Sequence, residues 1–131
     1  MKDIKFATLP ALGQELAGGR FTGIITTTDG AHCAVVLLPG YAEGVTWERA
    51  KAWAAEQGGE LPTRPVAALL YALSKPALQP HWHWISDEYE FDASSAWRCH
   101  FDNGSQLSNH KAYEGYAVAV RQIPVDSKEQ A

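Results

Sequence analysis

The chain has only two cysteines in 131 residues, Cys33 and Cys99, placed 66 positions apart. That spacing offers neither a paired-cysteine metal knuckle nor a disulfide framework, so both are expected as reduced thiols buried in strands. No segment approaches the roughly 20 apolar residues needed to cross a bilayer. The first twenty residues also lack the basic start and apolar run of an export leader. The chain is therefore expected to stay soluble in the compartment where it is made, with no membrane partner. Basic residues are scattered, 11 Lys and Arg against 15 Asp and Glu for a net charge of -4. With no cationic stripe to neutralise a run of phosphates, direct nucleic acid binding is not expected. The chain also lacks a G-x-S-x-G elbow, a Cys-His signature, a phosphate-cradling glycine loop and a P-loop, so no catalytic residue and no cofactor is assigned.

What is present is the composition of one folded globule. Hydrophobic residues make up 46% and charged residues 20%, and the length suits a single domain with its own core. That domain is placed at residues 1–124, with 125–131 as a tail. Lys2 to Leu9 alternates like a strand until Pro10 and Gly18-Gly19 interrupt it. Phe21 to Thr28 and Ala31 to Leu38 read as a hairpin joined by Asp29-Gly30, a pair suited to a tight primed turn. Thr46 stands where an N-cap is needed for a helix over about Trp47 to Gln57, whose apolar stripe is Trp47, Ala50, Trp53 and Ala54. Gly58-Gly59 would stop it. Thr63 and Pro65 open a second helix whose inward face is Val66, Leu69, Leu70 and Leu73, ending before Lys75-Pro76.

After Pro80 the texture changes to short aromatic strands at His81 to Ser86, Ser95 to Phe101, Ser105 to Leu107 and Gly115 to Ile123. Asp102-Asn103-Gly104 marks a turn among them. The period of two sets Trp97, Cys99 and Phe101 against Arg98 and His100, and sets Trp82 and Trp84 against His81 and His83. Strands, two helices and a strand meander together predict an α+β fold with both helices on one side of an antiparallel sheet.

Glu60-Leu61-Pro62-Thr63-Arg64, the helix after it, Trp84-Ile85-Ser86-Asp87-Glu88, Ser94-Ser95-Ala96-Trp97, Phe101-Asp102-Asn103-Gly104-Ser105 and Val118-Ala119-Val120-Arg121 occur in a characteristic order. Over residues 45–124 this order resembles the C-type-lectin-like family typified by the C-terminal domain of the Legionella collagen-like adhesin. The resemblance implies a C-type-lectin-like fold, two helices on a twisted antiparallel sheet, here preceded by an N-terminal β-hairpin. It also implies frequent occurrence in bacteria and their phages and a ligand site in the C-terminal loops; with no export leader, the expected location is the host cytoplasm or a virion. The chain departs from calcium-dependent sugar binders, having neither a Glu-Pro-Asn or Gln-Pro-Asp nor a Trp-Asn-Asp triplet. It departs from formylglycine-generating relatives too, because Cys99 stands alone near the C-terminal strands.

The expected function is a non-catalytic binding module of phage or prophage type. Its partner would be a protein, for instance a host defence protein that it inhibits, or else a glycan; a homodimer is a further possibility. The alternative within this class is a virion accessory or receptor-binding protein. The expected contact residues are His81, His83, Tyr89, Arg98, His100, Asn103, Asn109, His110 and Tyr113, because aromatic and amphipathic groups near loops are enriched at interfaces. Asp87, Glu88, Glu90 and Asp92 form an acidic loop able to meet a basic surface. A rival reading is a metal-dependent enzyme in which His81, His83 and His100 converge across strands to hold zinc with one open position. No carboxylate is obviously placed to complete that site, and no metal is assigned.

Overall fold

The computed structural model describes residues 4–126, which form an α+β arrangement of ten strands and two α-helices. In chain order the strands are β1 Ile4–Lys5, β2 Glu15–Leu16, β3 Gly19–Thr26, β4 His32–Leu37 and β5 Ala42–Val45. Helices α1 Trp47–Glu56 and α2 Arg64–Ser74 follow, and then β6 Trp82–Glu88, β7 Ser95–His100, β8 Gln106–His110, β9 Gly115–Ala117 and β10 Val120–Asp126. They assemble into two five-stranded sheets, ordered β1-β10-β4-β3-β2 and β5-β9-β6-β7-β8. Each sheet is mixed: β1 runs parallel to β10 and β9 parallel to β6, and the other pairs are antiparallel.

Contrary to the sequence expectation, the helices do not share one side. Val35 and Leu37 of β4 join Val66, Ala67 and Leu70 of α2 in one core, which extends to Ile85, Cys99 and Phe101 of the second sheet. Val36 and Leu38 point the other way and pack with Trp47, Ala50 and Ala54 of α1, together with Trp84, Ala96 and Ala117. The all-apolar run Ala34 to Leu38 makes this possible, since a strand covered on both faces has no polar alternate position.

The segment expected as one strand, Gly115 to Ile123, is two. The chain leaves the second sheet after Ala117 and enters the first at Val120, with Ala117 through Val120 all buried. The crossing is pinned where Leu38 N donates to Ala119 O (2.9 Å) and where Glu60 and Val120 exchange backbone bonds of 2.9 and 2.8 Å.

Local chemistry explains the other elements. Thr63 caps α2 by accepting from Val66 N at 3.3 Å, whereas Thr46 occupies the cap position of α1 without a side-chain bond. The end of α1 is closed by Gly58 N to Ala55 O and Gly59 N to Ala54 O, each 3.0 Å, the paired bonds of a Schellman ending. In the β3–β4 hairpin Gly30 N donates to Thr27 O (2.9 Å) and only Gly30 has positive φ, +87°. The connection is thus a type I turn followed by a left-handed glycine, and not the primed turn predicted.

Three smaller expectations also change. In α2 the buried face is Val66, Ala67, Leu70 and Ser74. Leu69 and Leu73 instead lie over Gly23 at the margin, and Leu73 is 44% exposed. The strand expected from Lys2 to Leu9 is limited to Ile4–Lys5 by a 3-10 turn over Phe6–Thr8, where Thr8 Oγ1 donates to Lys5 O; residues 2 and 3 lie outside the described residues. At the other end Val125 is buried and pairs with Ile4, so 125 and 126 belong to the sheet. Residues 127–131, the rest of the expected tail, lie outside the described residues.

Candidate functional site

The second sheet carries most of the expected contact residues, and its register decides which of them meet. Trp82 pairs with His100 and Trp84 with Arg98 across β6 and β7, and Arg98 and Ala96 pair with Leu107 and Asn109 across β7 and β8. Cross-strand partners share a face. One face therefore presents Trp82, Trp84, Arg98, His100, Leu107 and Asn109. Its inner part, Trp84 and Ala96, is buried in the core shared with α1. Its outer part is open, with Leu107 57% exposed and Trp82, Arg98, His100 and Asn109 half-buried.

Arg98 is the centre of this face. Its guanidinium carbon lies 4.9 Å from the Trp82 ring centre and 5.5 Å from that of Trp84, a stacked arrangement that holds the planar cation in place. Its Nε is buried and without a hydrogen-bond partner, and no carboxylate pairs with the guanidinium among the described residues. Burial lowers its pKa from the ordinary arginine value. A partly desolvated cation without a counterion is an unsatisfied group, and such groups require an explanation. His100 stands edge-on to Trp82 at 5.0 Å, while its Nδ1 accepts from Asp102 N at 3.2 Å.

His81 and His83 lie on the opposite face from His100, which follows from the Trp82–His100 pairing. The three imidazoles therefore do not converge. His83 is also fully buried, against the expectation that it faces outward, between Phe101 (4.6 Å) and Tyr116 (5.4 Å). Its Nδ1 donates to His81 O at 2.9 Å, and its Nε2 is buried without a partner. Desolvation is the main reason its pKa falls to about 4, so the ring is neutral at physiological pH. His81, exposed, stacks on Tyr116 at 4.5 Å. Among the described residues no group of three or more His, Cys, Asp or Glu is placed to hold a metal ion.

The acidic loop is occupied internally. Asp87 Oδ1 accepts from Arg64 N at 3.2 Å and from Ser86 Oγ at 3.4 Å. Glu88 is paired with Lys111, whose hydrogen bond and charge hold its pKa below the usual carboxylate range. Asp92 accepts from Ser94 Oγ (2.7 Å), Ser94 N (3.0 Å) and Ser95 Oγ (3.4 Å), bonds that likewise lower its pKa. Glu90 is exposed in the turn. This carboxylate run shapes the β6–β7 connection, and its tip presents Phe91, 81% exposed. Behind Phe91, Tyr89 packs edge-on against it at 5.5 Å and against Trp97 at 5.4 Å, and Arg64 covers Trp97 at 3.7 Å. Tyr113, also exposed, and His110 sit at this same end of the sheet with their rings 6.3 Å apart. Asn103 is at the opposite end, where its Oδ1 accepts from Ser105 N at 2.9 Å to close the β7–β8 turn.

The structure thus gathers Arg98, His100 and Asn109 on one open face, puts Tyr89, the acidic loop, His110 and Tyr113 at one end of it, and removes His83 to the core. Trp82, Leu107 and Phe91 join the surface although sequence reasoning did not select them. The signal for Trp82 and Leu107 was available in the alternation about Arg98, once strand register is known.

No protein-family model matches the chain, and none of the curated proteins is significantly similar to it. Among the described residues no helix is long and apolar enough to cross a membrane.

Proposed function

We propose that this chain is a non-catalytic binding module of phage or prophage type, built on a C-type-lectin-like scaffold, that engages a protein partner through the outer face of β6–β8. The observation that carries the reading is Arg98: a half-buried guanidinium, stacked on two tryptophans and lacking a counterion among the described residues, beside the exposed Leu107. Arginine and tryptophan packed next to apolar surface are the residues that dominate protein interfaces, and a carboxylate from a partner would supply the missing charge. Because the side chain is already held, little conformational entropy is lost on contact. The engagement of Asp87, Glu88 and Asp92 in internal bonds shifts the recognition chemistry from acidic mimicry to this cationic face. Inhibition of a host protein remains the role favoured over a virion part.

The test is capture from bacterial host lysate with the wild-type chain, Leu107→Asp, and Thr28→Asp on the distant β3–β4 turn. A protein retained by the wild type and by Thr28→Asp but lost with Leu107→Asp supports the proposal. Equal retention by all three, or no retained protein, overturns it.

A further inference from the structure

We infer that the cleft at the open end of the α2-side core is a separate binding site for a small amphipathic carboxylate. The cleft has a volume of about 430 Å³, within the range of about 300–1,000 Å³ typical of small-molecule sites. Buried Leu37 and Val118 form its floor, and Tyr41 and Ala77 stand on its walls.

The cation on its lining is Arg20. The register pairs Arg20 with Leu37, which puts the arginine side chain on the same face as the apolar floor. Its Nε donates to Ser74 Oγ at 3.3 Å, and Ser74, fully buried, is hydrogen-bonded to Thr22 Oγ1 at 3.2 Å. These bonds fix the Nε edge of the guanidinium, whose terminal nitrogens lie beside Gly13, and no ion pair joins Arg20 to a carboxylate among the described residues. The cross-strand neighbour Glu15 is not the counterion, since its Oε2 accepts from Gly18 N at 2.9 Å and no ion pair joins it to Arg20. A planar cation that no carboxylate neutralises among the described residues selects a carboxylate head. The leucine and valine floor selects an apolar body. The site shares no residue with the β6–β8 face, so it stands or falls independently of the protein-binding proposal.

Calorimetric titration of the full chain with decanoate and with decanol tests the inference. Decanoate is expected to bind saturably and at least about tenfold more tightly than the alcohol, reflecting a charge-assisted pair. Arg20→Gln should abolish that preference, and Ala77→Trp, a change at an exposed position on the cleft wall, should block both ligands while circular dichroism shows an intact fold. Should Arg20→Gln not fold, the wild-type NMR signals of Arg20 Nε–H and the Leu37 and Val118 methyl groups decide, and they must move on adding decanoate. Absence of saturable decanoate binding, equal affinity for decanol, a preference that survives Arg20→Gln, or unmoved signals would each overturn the inference.

Discussion

Lowering the pH should destabilise this fold through one residue, His83. In the unfolded chain its imidazole has the ordinary pKa of 6.5, and in the fold burial brings it to about 4. The folded state therefore binds this proton a few hundred times more weakly, equivalent to about 3 kcal/mol. The sign follows from which state holds more protons: between pH 6.5 and 4 the unfolded chain is protonated and the fold is not. The stability is fully present above 6.5 and is lost as the pH falls toward 4. Between pH 7 and pH 5 the loss attributable to this group is about 2 kcal/mol, a window above the range in which the paired carboxylates Glu88 and Asp92 are titrated. Urea unfolding at pH 7, 6 and 5 measures it, with His83→Phe, which keeps a flat ring between Phe101 and Tyr116, as the reference. The wild type should lose about 2 kcal/mol more than the variant over that interval. An equal pH dependence in both proteins, or an NMR titration of the native His83 ring with a midpoint near 6.5, would refute the reasoning.

Other substitutions test the packing and the caps. A Cβ on Gly59 would stand 2.5 Å from Val120 O and 2.8 Å from Leu38 Cδ1; Gly59→Ala should therefore cost about 1–3 kcal/mol in chemical denaturation, and an unchanged midpoint would show that the sheet crossover is looser than described. Thr63→Ala removes the bond from Val66 N and should lower stability by about 1 kcal/mol, whereas Thr46→Ala, where no such bond exists, should cost distinctly less. Cys99 is fully buried and its pKa is raised to about 11 by desolvation; it should resist iodoacetamide at pH 8 in the native protein and react in urea, as mass spectrometry of the labelled peptide would show.

Elements whose ends carry their own chemistry were legible in the sequence. The Thr63 cap and the Gly58-Gly59 stop lie within a few residues of the backbone groups they satisfy, and so both helices and the β3–β4 hairpin can be read locally. The division into two sheets is not local. Ala117 through Val120 is apolar throughout, and a segment buried on all sides shows no periodicity to mark where it changes partners. His83 was misplaced for a related reason. The run His81-Trp82-His83-Trp84 has an aromatic ring at every position, and both Trp84 and His83 are buried, on opposite faces of the same strand. Arg98 was readable as a surface candidate, but its significance comes from the strand register that sets it against Trp84 and from the absence, among the described residues, of a carboxylate paired with it. The acidic run from Asp87 to Asp92 is plain in the composition, which does not reveal that Ser94, Ser95, Lys111 and the Arg64 amide bond to three of its four carboxylates.

The most direct test of the β6–β8 face is amide hydrogen exchange of the chain alone and in complex with its captured protein. The account predicts slowed exchange in 95–110, the β7–β8 region around Arg98 and Leu107, with no change in 19–37 of the opposite sheet. Slowing confined to 19–37, or unchanged exchange across 95–110, would contradict it.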